Sequence, residues 1–317
     1  MNMAAFRWFL RLLAGLCRPS SADKDSGPHS PSDGPDWLAV IAQRPAEYAG
    51  YMTRELYVTG ADPAIVLIHG FGDSAGTWNL VLSRLAAIGR AGIAVDLPGF
   101  GAAEALAPGP ILPQLDAFVA DLVQRHGARQ SVVLVGNSLG GLLTVRAAAD
   151  GALPIRGILA VGTAGTGWTR LLRIVTQGNL GRVAWLAKAP VPAWLLTLTA
   201  RVMMYGRWQA ADPVELRRFT RQLAARPIMA TALALLPEVT AITQLAHVTC
   251  PTTVLHGRRD RLVSMEAAQR LHDLIPCSRL VVLPRSGHCP QLDAADEVVT
   301  LATQLATTNP EDYSGTA

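Results

Sequence analysis

Seven short runs of consecutive apolar, largely β-branched residues punctuate the chain: ELYV (55–58), AIVLIH (64–69), GIAVD (92–96), SVVLVG (131–136), GILAVG (157–162), TTVLHG (252–257) and RLVVLP (279–284). Each predicts a strand. Amphipathic stretches near 76–88, 112–126, 139–150, 265–275 and 293–306 predict helices between them. The strand runs are apolar throughout rather than alternating, as a sheet covered on both faces requires. Strands alternating with helices predict an α/β architecture, a mostly parallel, twisted sheet with helices on both faces. The alternation stops between about 164 and 247. That segment holds Trp168, Trp185, Trp194 and Trp208, several helical runs and no convincing strand. It predicts an inserted helical cap, or lid, over the carboxyl edge of a sheet built from 36–163 and 248–317.

The N-terminus follows a different pattern. In residues 1–18, MNMAAFRWFLRLLAGLCR, the basic residues Arg7, Arg11 and Arg18 fall within about 40° of one another on a helical wheel, ringed by Phe, Trp and Leu. Such an amphipathic segment suits a membrane surface. An atypical export signal is a second reading, although Arg11 breaks the unbroken apolar core that a secretory signal needs and Leu16 stands where a lipoprotein signal has a small residue. A segment with no function is a third. Residues 19–35, PSSADKDSGPHSPSDGP, have the Pro, Ser, Gly and Asp content of a disordered linker.

Composition narrows the function classes. Half of the 317 residues are hydrophobic and 16% are charged, against roughly 25% charged in an average soluble protein. The formal net charge of +4 is too modest to indicate a nucleic-acid partner. Cys17, Cys250, Cys277 and Cys289 show no CxxC spacing, so neither a zinc site nor a disulfide framework is indicated. Free thiols fit a cytoplasmic address, peripheral at the membrane if residues 1–18 bind there. No apolar run approaches the ~20 residues that cross a bilayer.

Candidate chemistry begins at VVLVGNSLGGLLTVRAAA (132–149), where Gly136-Asn137-Ser138-Leu139-Gly140 stands between a strand and a helix. A sharp strand-to-helix turn exposes the Ser138 hydroxyl, and flanking glycines remove side chains that would collide. The Leu139 N–H, at the helix N-terminus, is free to face a developing oxyanion. A serine at neutral pH needs a base, and the base an orienting acid. His288, in LPRSGHCPQLD just past the last strand, is the best-placed histidine. His247 and His256 are its rivals; His69 belongs to the IHGFG turn, His126 and His272 fall on helices, and His29 lies in the linker. No Asp or Glu occurs between Asp150 and Asp212, which leaves Asp260, in LHGRRDRLV after the penultimate strand, as the acid. Its bland reading is a turn aspartate paired with neighbouring arginines. The IHGFGDSAGTW turn offers a second oxyanion donor in the N–H of Phe71, with Gly72 in reserve. Asp96 and Gly99, in DLPGFG, read as loop architecture.

These motifs, IHGFG, DLPGFG, GNSLGG, HGRRD and SGHCP, resemble the α/β-hydrolase family in kind and order over roughly 60–307. The resemblance implies the α/β-hydrolase fold and a two-step acyl transfer on an ester, of the esterase or lipase kind. His288 deprotonates Ser138, the N–H groups of Leu139 and Phe71 hold the oxyanion, Asp260 holds the imidazole, and water then releases the acid. No metal or organic cofactor is implied. Carbon–carbon bond or lactone hydrolysis, transfer to an alcohol, and non-catalytic ligand binding are the other readings. Residues 151–211 carry seven bases (Arg156, Arg170, Arg173, Arg182, Lys188, Arg201 and Arg207) and no acid. Either the lid greets an anionic lipid surface or an acidic acyl group, or its arginines are simply solvated. With the N-terminal segment, this tilts the expected substrate toward a small-molecule ester that is hydrophobic or lipidic.

Overall fold

In the computed structural model, which describes residues 40–166, 193–206, 213–225, 228–240 and 247–308, eight strands form one sheet. They are β1 (Ala42–Tyr48), β2 (Tyr51–Val58), β3 (Ala61–Ile68), β4 (Arg90–Val95), β5 (Val132–Asn137), β6 (Ile155–Val161), β7 (Thr252–Gly257) and β8 (Ser278–Leu283). Their order is β1-β2-β4-β3-β5-β6-β7-β8. The β1–β2 and β2–β4 pairs are antiparallel and the other five parallel.

All seven expected strands are present, with ends shifted by a few residues. β1 is an addition. Its sequence, AQRPAEY, has no apolar run and carries Pro45. An edge strand exposed along most of its length needs no apolar run, and proline is tolerated there. It turns into β2 through Ala49 and Gly50, both at positive φ (49° and 80°), the backbone signature of a two-residue hairpin turn.

Helices α1 (Asn79–Ala87), α2 (Ile111–His126), α3 (Leu139–Ala149), α4 (Ala193–Met204), α5 (Pro213–Ala225), α6 (Ile228–Thr240), α7 (Met265–Leu274), a single turn α8 (Pro290–Asp293) and α9 (Ala295–Thr307) complete the described elements. The stretch expected to be helical from 76 begins instead as a 3-10 turn, Ala75–Trp78. Alternate residues of the central strands feed two cores. Val66, Ile68 and Leu134 pack with Leu115, Phe118 and Val119 of α2, Val145 of α3 and Leu271 of α7. Ile65, Leu67, Val133 and Val135 pack with Trp78, Leu82 and Leu85 around α1 and with Val298 and Leu305 of α9. This two-sided burial is why the strand runs are apolar at every position.

Between β6 and β7 the described residues contain helices α4 to α6 and no strand; residues 167–192, 207–212, 226–227 and 241–246 of the expected cap lie outside the described residues, as do the N-terminal segment and linker. Each inserted helix is tied to a different loop of the core. Glu238 of α6 receives the N–H groups of Ile111 (2.9 Å) and Leu112 (2.7 Å), satisfying the first turn of α2, whose N-cap is Pro110. At the end of α4 the Gly206 N–H donates to Asp293 (2.9 Å) and the Met204 carbonyl accepts from Cys289 N–H (3.0 Å). Arg218 of α5 reaches Asp73 and Ser74. One expectation needs correction: Arg156, counted among the lid's bases, lies on β6 and donates to the Thr308 carbonyl at 3.0 Å, so it belongs to the core.

Candidate active site

Parallel register aligns the carboxyl ends of the central strands. Ile68 stands opposite Gly136, Gly136 opposite Ala160, and Val161 opposite Leu255. The loops after β3, β5, β6, β7 and β8 therefore leave from one edge, and every expected site residue is on one of them or, as Leu139 is, at the first position of the helix that follows.

Ser138 sits between the last residue of β5 and the first of α3 at φ 55°, ψ −111°. A side-chain-bearing residue rarely adopts positive φ, and holding one there costs roughly 1–3 kcal/mol. The surroundings hold it firmly. Its N–H donates to Val161 O (2.8 Å), and its carbonyl accepts from Leu142 N (3.0 Å) and Ala164 N (3.1 Å). The turn closes only because both flanking positions are glycine. A Cβ on Gly136 would stand 2.1 Å from the Gly140 carbonyl oxygen, and one on Gly140 2.3 Å from that of Ile68.

His288 Nδ1 lies 2.7 Å from Asp260 Oδ2, and both side chains are almost fully buried. The other Asp260 oxygen accepts from the N–H groups of Leu262 (2.7 Å) and Val263 (2.9 Å). Burial alone would raise the Asp260 carboxyl, but the His288 imidazole and these hydrogen bonds hold it below the usual carboxylate range. The carboxylate is thus ionised and aimed at Nδ1, leaving Nε2 as the basic nitrogen. Gly162, the residue after β6, lies against this pair: a Cβ there would be 3.3 Å from His288 Nδ1 and 3.4 Å from Asp260 Oδ2. Its neighbour Val161 anchors Ser138, so the serine and the histidine share one floor. Among the described residues the Ser138 hydroxyl makes no hydrogen bond.

Two residues that sequence reasoning missed, Asn137 and Asp293, hold the histidine loop. Asn137 Nδ2 donates to the His288 carbonyl (2.9 Å), while its Oδ1 accepts from Gln291 Nε2 (3.2 Å). Asp293 receives the Ser286 hydroxyl and the Gly287 N–H (3.0 Å). The available signal was weak: Asn137 is simply the residue before the serine, and Asp293 lies five residues past the histidine.

The loop after β3 faces the serine elbow. A Cβ on Gly70 would be 3.2 Å from Ser138 Cβ. Leu97 N–H donates to His69 Nε2 (2.9 Å), so the proton of this imidazole is on Nδ1, which lies 2.7 Å from the Gly70 carbonyl. Asp73 N–H reaches the same carbonyl at 3.3 Å. In a trans peptide the C=O and the following N–H point in opposite directions, so pinning Gly70 O also aims Phe71 N–H. Among the described residues neither Phe71 nor Leu139 N–H meets a protein acceptor. Asp96 serves the scaffold: it receives Ala75 and Ala102 N–H and pairs with Arg54.

The rival histidines are elsewhere. His256 lies within β7, buried, and His247 is exposed in a cleft of about 330 Å³ that Asp116 and Arg146 also line. Burial lowers the pKa of both His69 and His256 from the ordinary 6.5. Below pH 6.5 the unfolded chain therefore binds protons that the folded chain refuses, and stability falls by up to about 1.4 kcal/mol per pH unit for each group. The melting temperature is expected to drop from pH 7 to pH 5.5, and less steeply in His256→Gln. Equal melting temperatures at the two pH values for the wild type would contradict this.

The chain belongs to the α/β hydrolase family, whose model matches residues 65–301. It is 30% identical over 257 residues to the pimeloyl-[acyl-carrier protein] methyl ester esterase of Chromobacterium violaceum, covering 78% of this chain and 96% of that protein. It is also 30% identical over 260 residues to the 2-hydroxy-6-oxo-2,4-heptadienoate hydrolase of Pseudomonas putida, covering 77% and 89%. Among solved structures it is similar to a bacterial membrane phospholipase A described as a virulence factor, with a TM-score of 0.70 at 20% identity and 88% of each chain covered. At that identity the likeness shows the fold alone. Among the described residues no helix is long and apolar enough to cross a membrane.

Proposed function

We propose that this chain is a serine hydrolase that cleaves carboxylic esters through an acyl-enzyme on Ser138. The observation that carries the reading is the buried Asp260–His288 pair standing over the same strand end that anchors the strained Ser138 turn. The relatives support a carboxylic-ester hydrolase.

In the first step His288 Nε2 takes the hydroxyl proton while Ser138 Oγ bonds to the ester carbonyl carbon. The carbonyl electrons move to oxygen, and the oxyanion accepts hydrogen bonds from the N–H groups of Leu139 and Phe71. The imidazolium gives its proton to the leaving alkoxide, and the C–O bond of the ester breaks. Water, deprotonated by His288, then adds to the acyl-enzyme, and the acid departs as Ser138 regains its proton. Asp260 fixes the tautomer and stabilises the imidazolium in both steps.

The preferred ester is hydrophobic or lipidic. Helices α4 to α6, with the residues around them, act as a cap over the site, and residues 1–18 act as a membrane-surface anchor. Carbon–carbon bond hydrolysis is the second reading, favoured by the P. putida relative.

The test is hydrolysis of p-nitrophenyl esters from acetate to palmitate, with and without anionic vesicles, by the wild type, Ser138→Ala and a chain lacking residues 1–35. Turnover lost in Ser138→Ala, an optimum at a longer chain, and vesicle stimulation lost on truncation are the expected results. Turnover that survives in Ser138→Ala refutes the mechanism. An acetate optimum with no vesicle effect refutes the lipidic substrate and the anchor.

A further inference from the structure

We infer that Arg218, on helix α5 of the insertion, is a positioning residue for the oxyanion donor of Phe71, acting through Asp73. This rests on the serine-hydrolase reading and deepens it.

The chain of contacts is continuous. Arg218 Nη1 donates to Asp73 Oδ1 at 3.0 Å and to Ser74 Oγ at 2.5 Å, while its Nε donates to Glu215 at 2.7 Å, one turn back on its own helix. Asp73 Oδ1 also accepts Ser74 N–H (2.8 Å), and the Asp73 N–H is one of the two groups on the Gly70 carbonyl. That carbonyl shares a rigid peptide plane with the Phe71 N–H. A shift of Asp73 therefore turns the Gly70–Phe71 peptide and swings the donor away from the oxyanion on the carbon bonded to Ser138 Oγ.

The seat for the arginine is built into the loop. A Cβ on Gly76 would stand 3.3 Å from Arg218 Cδ and Nη1, so the guanidinium lies flat against a position without a side chain. Asp73 and Ser74 are buried, and in that setting an ion pair is rigid and little screened. Stability alone is a poor reason for the pair. Among the described residues Arg218 Nη2 is buried with no hydrogen-bond partner, and taking two charges out of water offsets most of their attraction. What the pair secures is geometry. A bidentate-capable fork clamps the loop from outside the sheet, and a misplacement of about 1 Å at such a donor can lower a rate by about 100-fold.

The consequence is that the insertion completes the oxyanion hole rather than merely covering it.

The experiment compares wild type, Arg218→Met, Arg218→Lys, Asp73→Asn and the Arg218→Met/Asp73→Asn double variant on p-nitrophenyl acetate, with melting temperature measured for each. Ser138→Ala is run alongside. The expected result is a kcat about 10- to 100-fold lower in Arg218→Met, with KM changed less than about threefold. Arg218→Lys is expected to recover part of kcat because it retains one charged contact to Asp73. The two single losses should combine less than additively in the double variant, since both break one link. If Arg218→Met does not fold, Asp73→Asn, which keeps an oxygen for Ser74 N–H, carries the test, with a kcat about 3- to 30-fold lower and KM held. Full kcat in a folded variant overturns the inference. So does a rise in KM alone, which would make Arg218 a substrate contact, or a lower melting temperature with kcat unchanged. Turnover that does not depend on Ser138 overturns the serine-hydrolase reading and the inference with it.

Discussion

Replacing Asp260 with asparagine is expected to lower kcat for ester hydrolysis about 10⁴-fold, a barrier increase of about 5.5 kcal/mol, with little change in melting temperature. The reason lies in how the two carboxylate oxygens are shared. One receives the N–H groups of Leu262 and Val263, and an amide oxygen serves them equally well. The other faces His288 Nδ1. There the amide presents an NH₂, so Nδ1 must become the acceptor and the ring proton must move to Nε2. Nε2 then cannot take the proton of Ser138. The loop survives, because Asn137 and Asp293 hold it independently of the acid. Steady-state rates, with a thermal melt as the control, check this. A variant within tenfold of wild type would mean that the buried pair is structural.

Adding one methyl group at Gly136 is expected to remove roughly 3 kcal/mol of stability or more, with activity lost as a consequence. The new Cβ would lie 2.1 Å from the Gly140 carbonyl oxygen, 2.3 Å from its carbon and 2.4 Å from Thr144 Oγ1. Two of these are backbone atoms in the first turn of α3, which no rotamer change can move. Relief requires α3 to slide along the sheet. But α3 also crosses β3 closely, since a Cβ on Gly140 would meet the Ile68 and His69 carbonyl oxygens at 2.3 and 2.6 Å. Strand β5 is fixed as well, being paired on both sides. Urea denaturation of Gly136→Ala, compared with the tolerant surface change Gly151→Asn, measures the loss. A midpoint equal to wild type would show that the elbow has room that its geometry denies.

The parallel half of the sheet was legible because each central strand is buried on both faces, a demand that writes itself as an uninterrupted apolar run. β1 was not, because an exposed edge strand makes no such demand: Gln43, Arg44 and Pro45 look like loop. That Ser138, Asp260 and His288 meet at one edge was legible for a related reason. Each follows a recognisable strand, and parallel topology brings strand ends to one edge however far apart they lie in sequence. The residues that hold them in place follow no such rule. Arg218 and Asp73 are 145 positions apart, and in VELRRFTRQ nothing distinguishes Arg218 from Arg217 and Arg221, which are exposed. Only the docking angle of α5 decides which arginine turns inward. The acceptor role of Glu238 at the start of α2 depends in the same way on how α6 lies against its neighbour.

The whole mechanism turns on an acyl group carried by Ser138. The most direct measurement is to mix the protein with p-nitrophenyl butyrate, quench in acid within milliseconds to seconds, and weigh the intact chain and its peptides by mass spectrometry. A transient butyryl adduct is expected on the peptide containing Ser138. It should appear together with a burst of p-nitrophenolate, persist longer in His288→Gln once formed, and be absent in Ser138→Ala. Ester turnover with no adduct at Ser138, or an adduct on another residue, would contradict it.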